Sequence, residues 1–193
     1  MSEEKNKEEE KTDILGLTLK SRKIFLSEDV NSKSAKKIVD TLFLLEQDDP
    51  DKPIFLFINS PGGEVNSGLA IYDVMEFIKP TVYTIGCGMV ASIAAIIYLQ
   101  PEVKNRFSLA HSEYLLHQPL GGMQGTASEI EIHAAQIIKT KAELNQLISD
   151  KTGKSLEDVK KDTNRDFWLD AKEAKDYGMV DKIISSYSEL PNL

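Results

Sequence analysis

The sequence predicts a single domain of the α/β class, and three observations support this. Short apolar runs alternate with longer amphipathic segments along the chain, as in layered α/β domains. Glycine-bearing turns follow several of the apolar runs, as expected where strands end. The length of 193 residues suits one domain with a sizeable core. We expect residues 13–193 to form this domain, and the acidic, polar residues 1–12 to be a flexible segment.

The individual elements follow from local patterns. Strands are predicted at short apolar runs bounded by turn residues, namely 23–26, 53–59, 81–86, 106–109, 113–117 and 179–184. Helices are predicted from apolar spacing and capping residues, namely at 32–47, 65–78, 92–99, 127–151, a short segment after Ser155, and 171–177. The helix at 127–151 is the longest, and we expect it to end at Gly153.

Composition argues against several classes of protein. A net charge of −8 without a basic cluster is unlike that of a nucleic-acid-binding protein. The absence of a long uncharged apolar run predicts no membrane span, and the polar start predicts no secretory signal. Cys87 is the only cysteine, which excludes an internal disulfide and indicates a reducing compartment. We therefore expect a cytoplasmic protein.

Three residues are candidates for nucleophilic catalysis, although each also has an ordinary structural interpretation. Ser92 begins an apolar helix after a glycine-bearing turn, where a nucleophile or an N-cap serine would both fit. His117 closes a strand before two glycines and is a candidate general base, as is His111. Asp166 either orients an imidazole or pairs with Arg165. Geometry must decide between these interpretations.

The turn at Gly62 and Gly63 follows a buried strand, so its backbone amides could approach a ligand closely or simply form a tight turn. The sequence has no H-E-x-x-H motif, and one cysteine with three scattered histidines does not form a metal-ligand set. No phosphate-binding glycine motif is present either. These observations predict neither a metal nor a nucleotide cofactor.

Four blocks occur in a specific order along the chain. They are INSPGG at 58–63 followed by GLAIYD at 68–73, AS at 91–92, HQPLGG at 117–122 followed by QG at 124–125, and DTNRD at 162–166 followed by EAKDYG at 173–178. Together these blocks resemble the proteolytic subunits of the Clp proteases. The resemblance covers nearly all of residues 13–184.

This resemblance implies a serine endopeptidase that cuts unfolded polypeptide. By position, Ser92 would be the nucleophile, His117 the general base and Asp166 the acid that orients it. The backbone amides of Gly63 and Ile93 would form the oxyanion hole. The reaction would require no metal or organic cofactor.

The resemblance also implies an assembly on a crotonase-like α/β fold. The helix at 127–151 would be a handle joining two stacked heptameric rings. ATP would be used by a partner, an AAA+ unfoldase, and not by this chain. The docking cleft for that partner would consist of phenylalanines, each of which could instead be plain core. They are Phe55, Phe57, Phe77 and Phe107.

The sequence departs from the family pattern at several positions. Met89 and Ala94 stand near Ser92 where the family usually has glutamine and glycine. Glu113 and Asn164 replace a usual arginine and a usual acid, and the acidic N-terminus lacks the usual axial-loop sequence. The departures near Ser92 and at the N-terminus motivate an alternative, a weakly active ring subunit that works beside a paralogue, although the intact triad argues against it. A second alternative is an acyl-CoA enzyme on the same fold.

Overall fold

Seven strands form one mixed sheet in the computed structural model, which describes residues 16–17 and 20–191. In chain order the strands are β1 (Lys23–Leu26), β2 (Ile54–Ser60), β3 (Val82–Ala91), β4 (Arg106–Leu109), β5 (Glu113–Leu116), β6 (Phe167–Asp170) and β7 (Lys182–Ile184). The order β1-β2-β3-β4-β7 is parallel throughout. The predicted α/β class is confirmed. The predicted flexible segment at 1–12 lies outside the described residues.

Six α-helices that are described along their whole length accompany these strands. They are α1 (Ser32–Asp48), α2 (Val65–Phe77), α3 (Ile93–Leu99), α4 (Ala127–Thr152), α5 (Leu156–Asp162) and α6 (Ala171–Tyr177). Gly153 ends α4 in the left-handed conformation, as expected from its position. None of the helices in residues 16–17 and 20–191 is long and apolar enough to cross a membrane.

Strand β3 changes partners halfway along its length, and this arrangement creates the site described below. Its first half pairs with β4, whereas Met89–Ala91 pairs with β5. The predicted strand was too short because the glycines after residue 85 look like a turn. The strand continues because the Asn59 side chain accepts a hydrogen bond from the Met89 N–H, at 3.0 Å. Gly88 allows this approach, since a Cβ there would lie 2.7 Å from Asn59 Oδ1.

The main core lies between one face of the sheet and the helices. Ile54, Leu56 and Ile58 point into it from β2 and are fully buried. All seven residues of α3 are buried, so this short helix is enclosed by the fold. Enclosure of α3 fixes the position of the residue immediately before it, Ser92.

Arg106 is a buried cation that joins three segments of the chain. Its Nε donates to the Pro101 carbonyl at 2.7 Å, and one terminal nitrogen donates to the Lys151 carbonyl at 2.9 Å. The same nitrogen lies 3.3 and 3.4 Å from the carbonyls of Gly178 and Met179. Burial lowers the pKa of Arg106 to about 10, so the guanidinium remains charged at neutral pH. Arg106 thus ties the end of α4 to the rest of the fold.

We expect Arg106→Met to destabilise the protein by about 3 kcal/mol, because several buried carbonyls lose their donor. Thermal unfolding monitored by circular dichroism measures this as a lowered Tm. The matched control is Lys104→Met, which removes an exposed cation that pairs with Glu102 and should change stability by less than about 1 kcal/mol. Equal Tm values for the two variants would contradict the structural role of Arg106.

Candidate active site

Ser92 connects β3 to α3 in a backbone conformation that is unusual for a residue with a side chain. Its φ is 57° and its ψ is −127°. Its N–H donates to the Leu115 carbonyl of β5 at 2.9 Å, which holds the turn against that strand. Ser92 occupies the N-cap position of α3, yet its hydroxyl makes no capping hydrogen bond. A strained, non-capping serine at a strand–helix turn is typical of a functional residue rather than a structural cap.

The glycine turn after β2 packs directly against Ser92. Gly62 has a φ of 93°, and a Cβ there would lie only 2.7 Å from Ser92 Cβ. Val30 hydrogen bonds to the residues on either side of Gly63, accepting from the Glu64 N–H and donating to the Gly62 carbonyl, each at 2.8 Å. This pairing does not use the Gly63 N–H. The chain therefore presents a backbone amide in the turn that covers Ser92.

A second backbone amide follows the serine. Ile93 is the first residue of α3, so its N–H has no partner within the helix. Because the Ile93 side chain is buried against the Cα of Gly68, the start of the helix is fixed. The amides of Gly63 and Ile93, predicted from the resemblance as an oxyanion hole, thus belong to the two turns that meet at Ser92.

His117 and Asp166 form a hydrogen-bonded pair, with Nδ1 and Oδ1 3.1 Å apart. The sheet explains why they meet. In the antiparallel ladder of β5 and β6, Leu116 lies opposite Phe167, and the next residue on each strand is His117 and Asp166. The imidazole is 18% exposed and the carboxylate 65% exposed. Strand β5 therefore carries the histidine at its end and contacts the serine turn through its other edge.

The alternative base, His111, lies before β5 at the opposite end of the strand. It is exposed and lines a separate cavity of about 480 Å³ together with Ser112, Glu113 and Lys172. No hydrogen bond or ion pair of His111 occurs within the described residues. The structure thus joins Asp166 to His117 and leaves His111 apart from both.

A further cavity, of about 370 Å³, opens beside the histidine–aspartate pair. Its lining residues are His117, Gln118, Leu120, Asn164, Arg165 and Asp166. Leu120 is almost fully exposed and gives the cavity an apolar side. Among the described residues the Ser92 hydroxyl has no hydrogen-bond partner. Hydrogen bonds between catalytic residues are often long or poorly aligned before a substrate binds.

Of the four residues that depart from the family pattern, only Asn164 lines the cavity beside His117 and Asp166. Met89 is partly exposed on β3 next to Glu113 of β5, and Ala94 is fully buried in α3. Glu113 lies directly opposite Asp170, which places two carboxylates side by side on the sheet surface. Asn164 precedes Asp166 by two residues, and its carbonyl accepts a hydrogen bond from the Gln118 side chain.

The structure brings together three of the four phenylalanines predicted to form a docking cleft. Phe55, Phe57 and Phe107 lie on the sheet face opposite the main core, in one apolar cluster that includes Tyr83. Phe77 lies elsewhere: it is 80% exposed and contacts Phe43 of α1, with ring centroids 6.4 Å apart. No local sequence pattern predicts this separation, because it depends on how α1 and α2 pack together.

Two comparisons with known proteins show the family of this chain. The family model for Clp protease matches residues 6–187, a range that contains Ser92, His117 and Asp166. One relative, the ATP-dependent Clp protease proteolytic subunit 2 of Treponema pallidum (strain Nichols), is 47% identical over 173 residues. This alignment covers 90% of the chain and 87% of the relative. The chain therefore belongs to the Clp protease family.

Proposed function

We propose that this serine peptidase subunit of a Clp protease cuts unfolded polypeptides with Ser92, His117 and Asp166. The observation that carries the proposal is the histidine–aspartate pair at 3.1 Å, because its histidine follows β5, the strand that also holds the serine turn. The left-handed φ of Ser92 supports the same assignment, because backbone strain in a folded protein clusters at functional positions.

In the proposed reaction, Ser92 Oγ attacks the carbonyl carbon of the scissile peptide bond while His117 takes the hydroxyl proton. Asp166 holds the imidazole in the required tautomer and stabilises its cation. His117 then gives its proton to the leaving amine, and water releases the acyl group from Ser92. The amides of Gly63 and Ile93 would stabilise the oxyanion, with about 3 kcal/mol for each donor.

Members of this family assemble into oligomers with an ATPase partner. We propose two stacked heptameric rings, with α4 as the handle between them, and an AAA+ unfoldase as the partner that consumes ATP. The peptidase chemistry uses side chains and backbone amides, so we propose no cofactor for this chain. Because Cys87 is its only cysteine, we propose a cytoplasmic location.

The proposed docking cleft for the unfoldase uses the exposed rim of the aromatic cluster on the sheet. Phe57 is half-buried there and stacks on the exposed Phe25, with ring centroids 5.2 Å apart. Phe55 and Phe107 support this surface from below, since both are buried. Phe77 would contribute from a neighbouring subunit, because it lies outside this cluster in its own chain.

Labelling with a fluorophosphonate probe tests the peptidase proposal directly. We expect the probe to attach covalently to Ser92, and the labelled protein to lose hydrolysis of a fluorogenic peptide. A protein that assembles but is neither labelled nor active would favour the alternative of a weakly active ring subunit. Crotonyl-CoA hydration tests the remaining alternative, an acyl-CoA enzyme, and we expect no turnover in that assay.

The apolar surface of α4 predicts how the rings hold together. Ile138 is 68% exposed, and Ile132 and Ile130 are exposed on the same helix. Ile137 instead packs on Gly121, and Leu144 is buried within its own chain. A charge at Ile138 therefore tests the ring contact without disturbing the packing of Ile137 and Leu144 within the chain.

We expect Ile138→Glu to split the double ring into single rings, because it places a charge in an apolar contact. Analytical ultracentrifugation measures the particle size across a salt series. The wild-type particle should persist as salt rises, since apolar burial is insensitive to moderate ionic strength. Dissociation of the wild type at modest salt, or a fully assembled Ile138→Glu variant, would contradict this account.

A further inference from the structure

One stripe of α4 contacts the segments that carry the histidine and the aspartate. Ile137, Lys141 and Asn145 are each four residues apart, so they lie on the same side of the helix. Ile137 packs against Gly121, where a Cβ would lie 2.7 Å from Ile137 Cδ1. Asn145 is buried and accepts a hydrogen bond from the Thr163 hydroxyl at 2.9 Å. The stripe thus contacts the chain shortly after the base and shortly before the acid.

Lys141 lies between these two contacts and acts on Gln118. Its Nζ donates to Gln118 Oε1 at 2.8 Å, and Gln118 Nε2 donates to the Asn164 carbonyl at 2.8 Å. An ammonium can only donate and a backbone carbonyl can only accept, so a single orientation of the amide satisfies both partners. The Gln118 N–H also donates to the Thr163 carbonyl at 2.8 Å. Gln118 therefore joins the segment after the base to the segment before the acid.

The carboxylate of Asp166 depends on such support because it is largely exposed. With 65% of its side chain accessible, packing does little to fix its position. Gln118 and Asn145 hold Thr163 and Asn164 from other parts of the chain. The backbone N–H groups of Thr163 and Asn164 also donate to carbonyls at the end of α5. A hydrogen bond with a charged donor is stronger than one between neutral groups. The bond from Lys141 therefore holds Gln118 firmly where Gln118 contacts the exposed segment before Asp166.

We propose that Lys141 is a positioning residue for peptide hydrolysis: by holding Gln118, it keeps Asp166 in register with His117. The inference rests on the proposed roles of His117 and Asp166. Lys141 does not touch the reacting atoms, and its effect passes through the Gln118 amide to the Asn164 backbone. It makes the rate of the chemical step depend on the placement of α4 against the base and acid segments.

Lys141→Met tests the proposal in the full-length, assembled protein, with Lys139→Met as the matched control. Lys139 is exposed on the same helix and makes no hydrogen bond or ion pair within the described residues. We expect Lys141→Met to lower kcat for a fluorogenic peptide about tenfold with little change in KM, because the acid is displaced while the substrate contacts remain. Lys139→Met should match the wild type, and Lys141→Arg should recover most of the loss.

The same substitution in a Gln118→Met background tests the route of the effect. If Lys141 acts through Gln118, Lys141→Met should change kcat by less than about twofold there, since contacting residues in one network are not additive. Independent, multiplicative losses would overturn the proposal. So would a wild-type kcat for Lys141→Met, or a loss that sedimentation traces entirely to disassembly. If these results occur while the wild type hydrolyses peptide and is labelled at Ser92, only this inference fails; an unlabelled, inactive wild type would instead refute the proposed function.

Discussion

Ser92→Ala is expected to abolish peptide hydrolysis, with a loss on the order of 10⁶-fold in kcat. The hydroxyl would form the acyl-enzyme, and no other nucleophile lies in the turn between β3 and α3. The fold should tolerate the change, because the hydroxyl makes no capping hydrogen bond and fills little volume. Peptide turnover and fluorophosphonate labelling should disappear together. Sedimentation should show an unchanged particle.

The control for this prediction is Ser67→Ala, which removes a serine hydroxyl near the start of α2 that bonds to Glu64 at 2.7 Å. We expect it to leave turnover almost unchanged. Wild-type turnover by an assembled Ser92→Ala protein would show that another group is the nucleophile. The same conclusion would follow if the probe labelled that variant as strongly as the wild type.

His117→Ala should cause a loss similar to that of Ser92→Ala, whereas His111→Ala should retain most of the activity. The physical reason is the hydrogen bond between His117 and Asp166, which orients the imidazole and stabilises its cation. His111 lies at the other end of β5, in a different cavity. The double variant Ser92→Ala/His117→Ala should lose about as much kcat as Ser92→Ala alone, because the two residues act as a unit.

Steady-state kinetics of both histidine variants, each checked for assembly, provides the measurement. The two substitutions remove the same side chain at the two ends of one strand, so each serves as the control for the other. An inactive His111→Ala protein beside an active His117→Ala protein would reverse the assignment of the base.

Much of this protein could be predicted from local sequence. The strands at 23–26 and 106–109 and the helix at 171–177 have the predicted bounds, because turn and capping residues define their ends. The position of Gly62 and Gly63 after a buried strand predicts a turn that requires glycine, and Gly62 does take a positive φ. The order of four short blocks was enough to predict the family.

Local sequence failed where a strand depends on a distant partner. Residues 167–170 have no alternating pattern of their own and form β6 only because they pair with β5. The strand predicted at 179–184 is shorter in the structure, since only Lys182–Ile184 pairs with β4. β-structure is set by cross-strand neighbours more than by intrinsic preference, which explains why these errors, like the one at β3, concern strands.

The candidate site shows the same division. Sequence alone determined which residue types are available and that the serine stands at a strand–helix turn beside glycines. The choice of His117 over His111 as the partner of Asp166 was decided by the register of β5 and β6, which a shift of one residue would destroy. The link from Lys141 through Gln118 to Asn164 also exists only in three dimensions, because its members are 23 and 46 residues apart. Chemistry in this protein is encoded locally, but its geometry arises from long-range pairing that brings separate segments together.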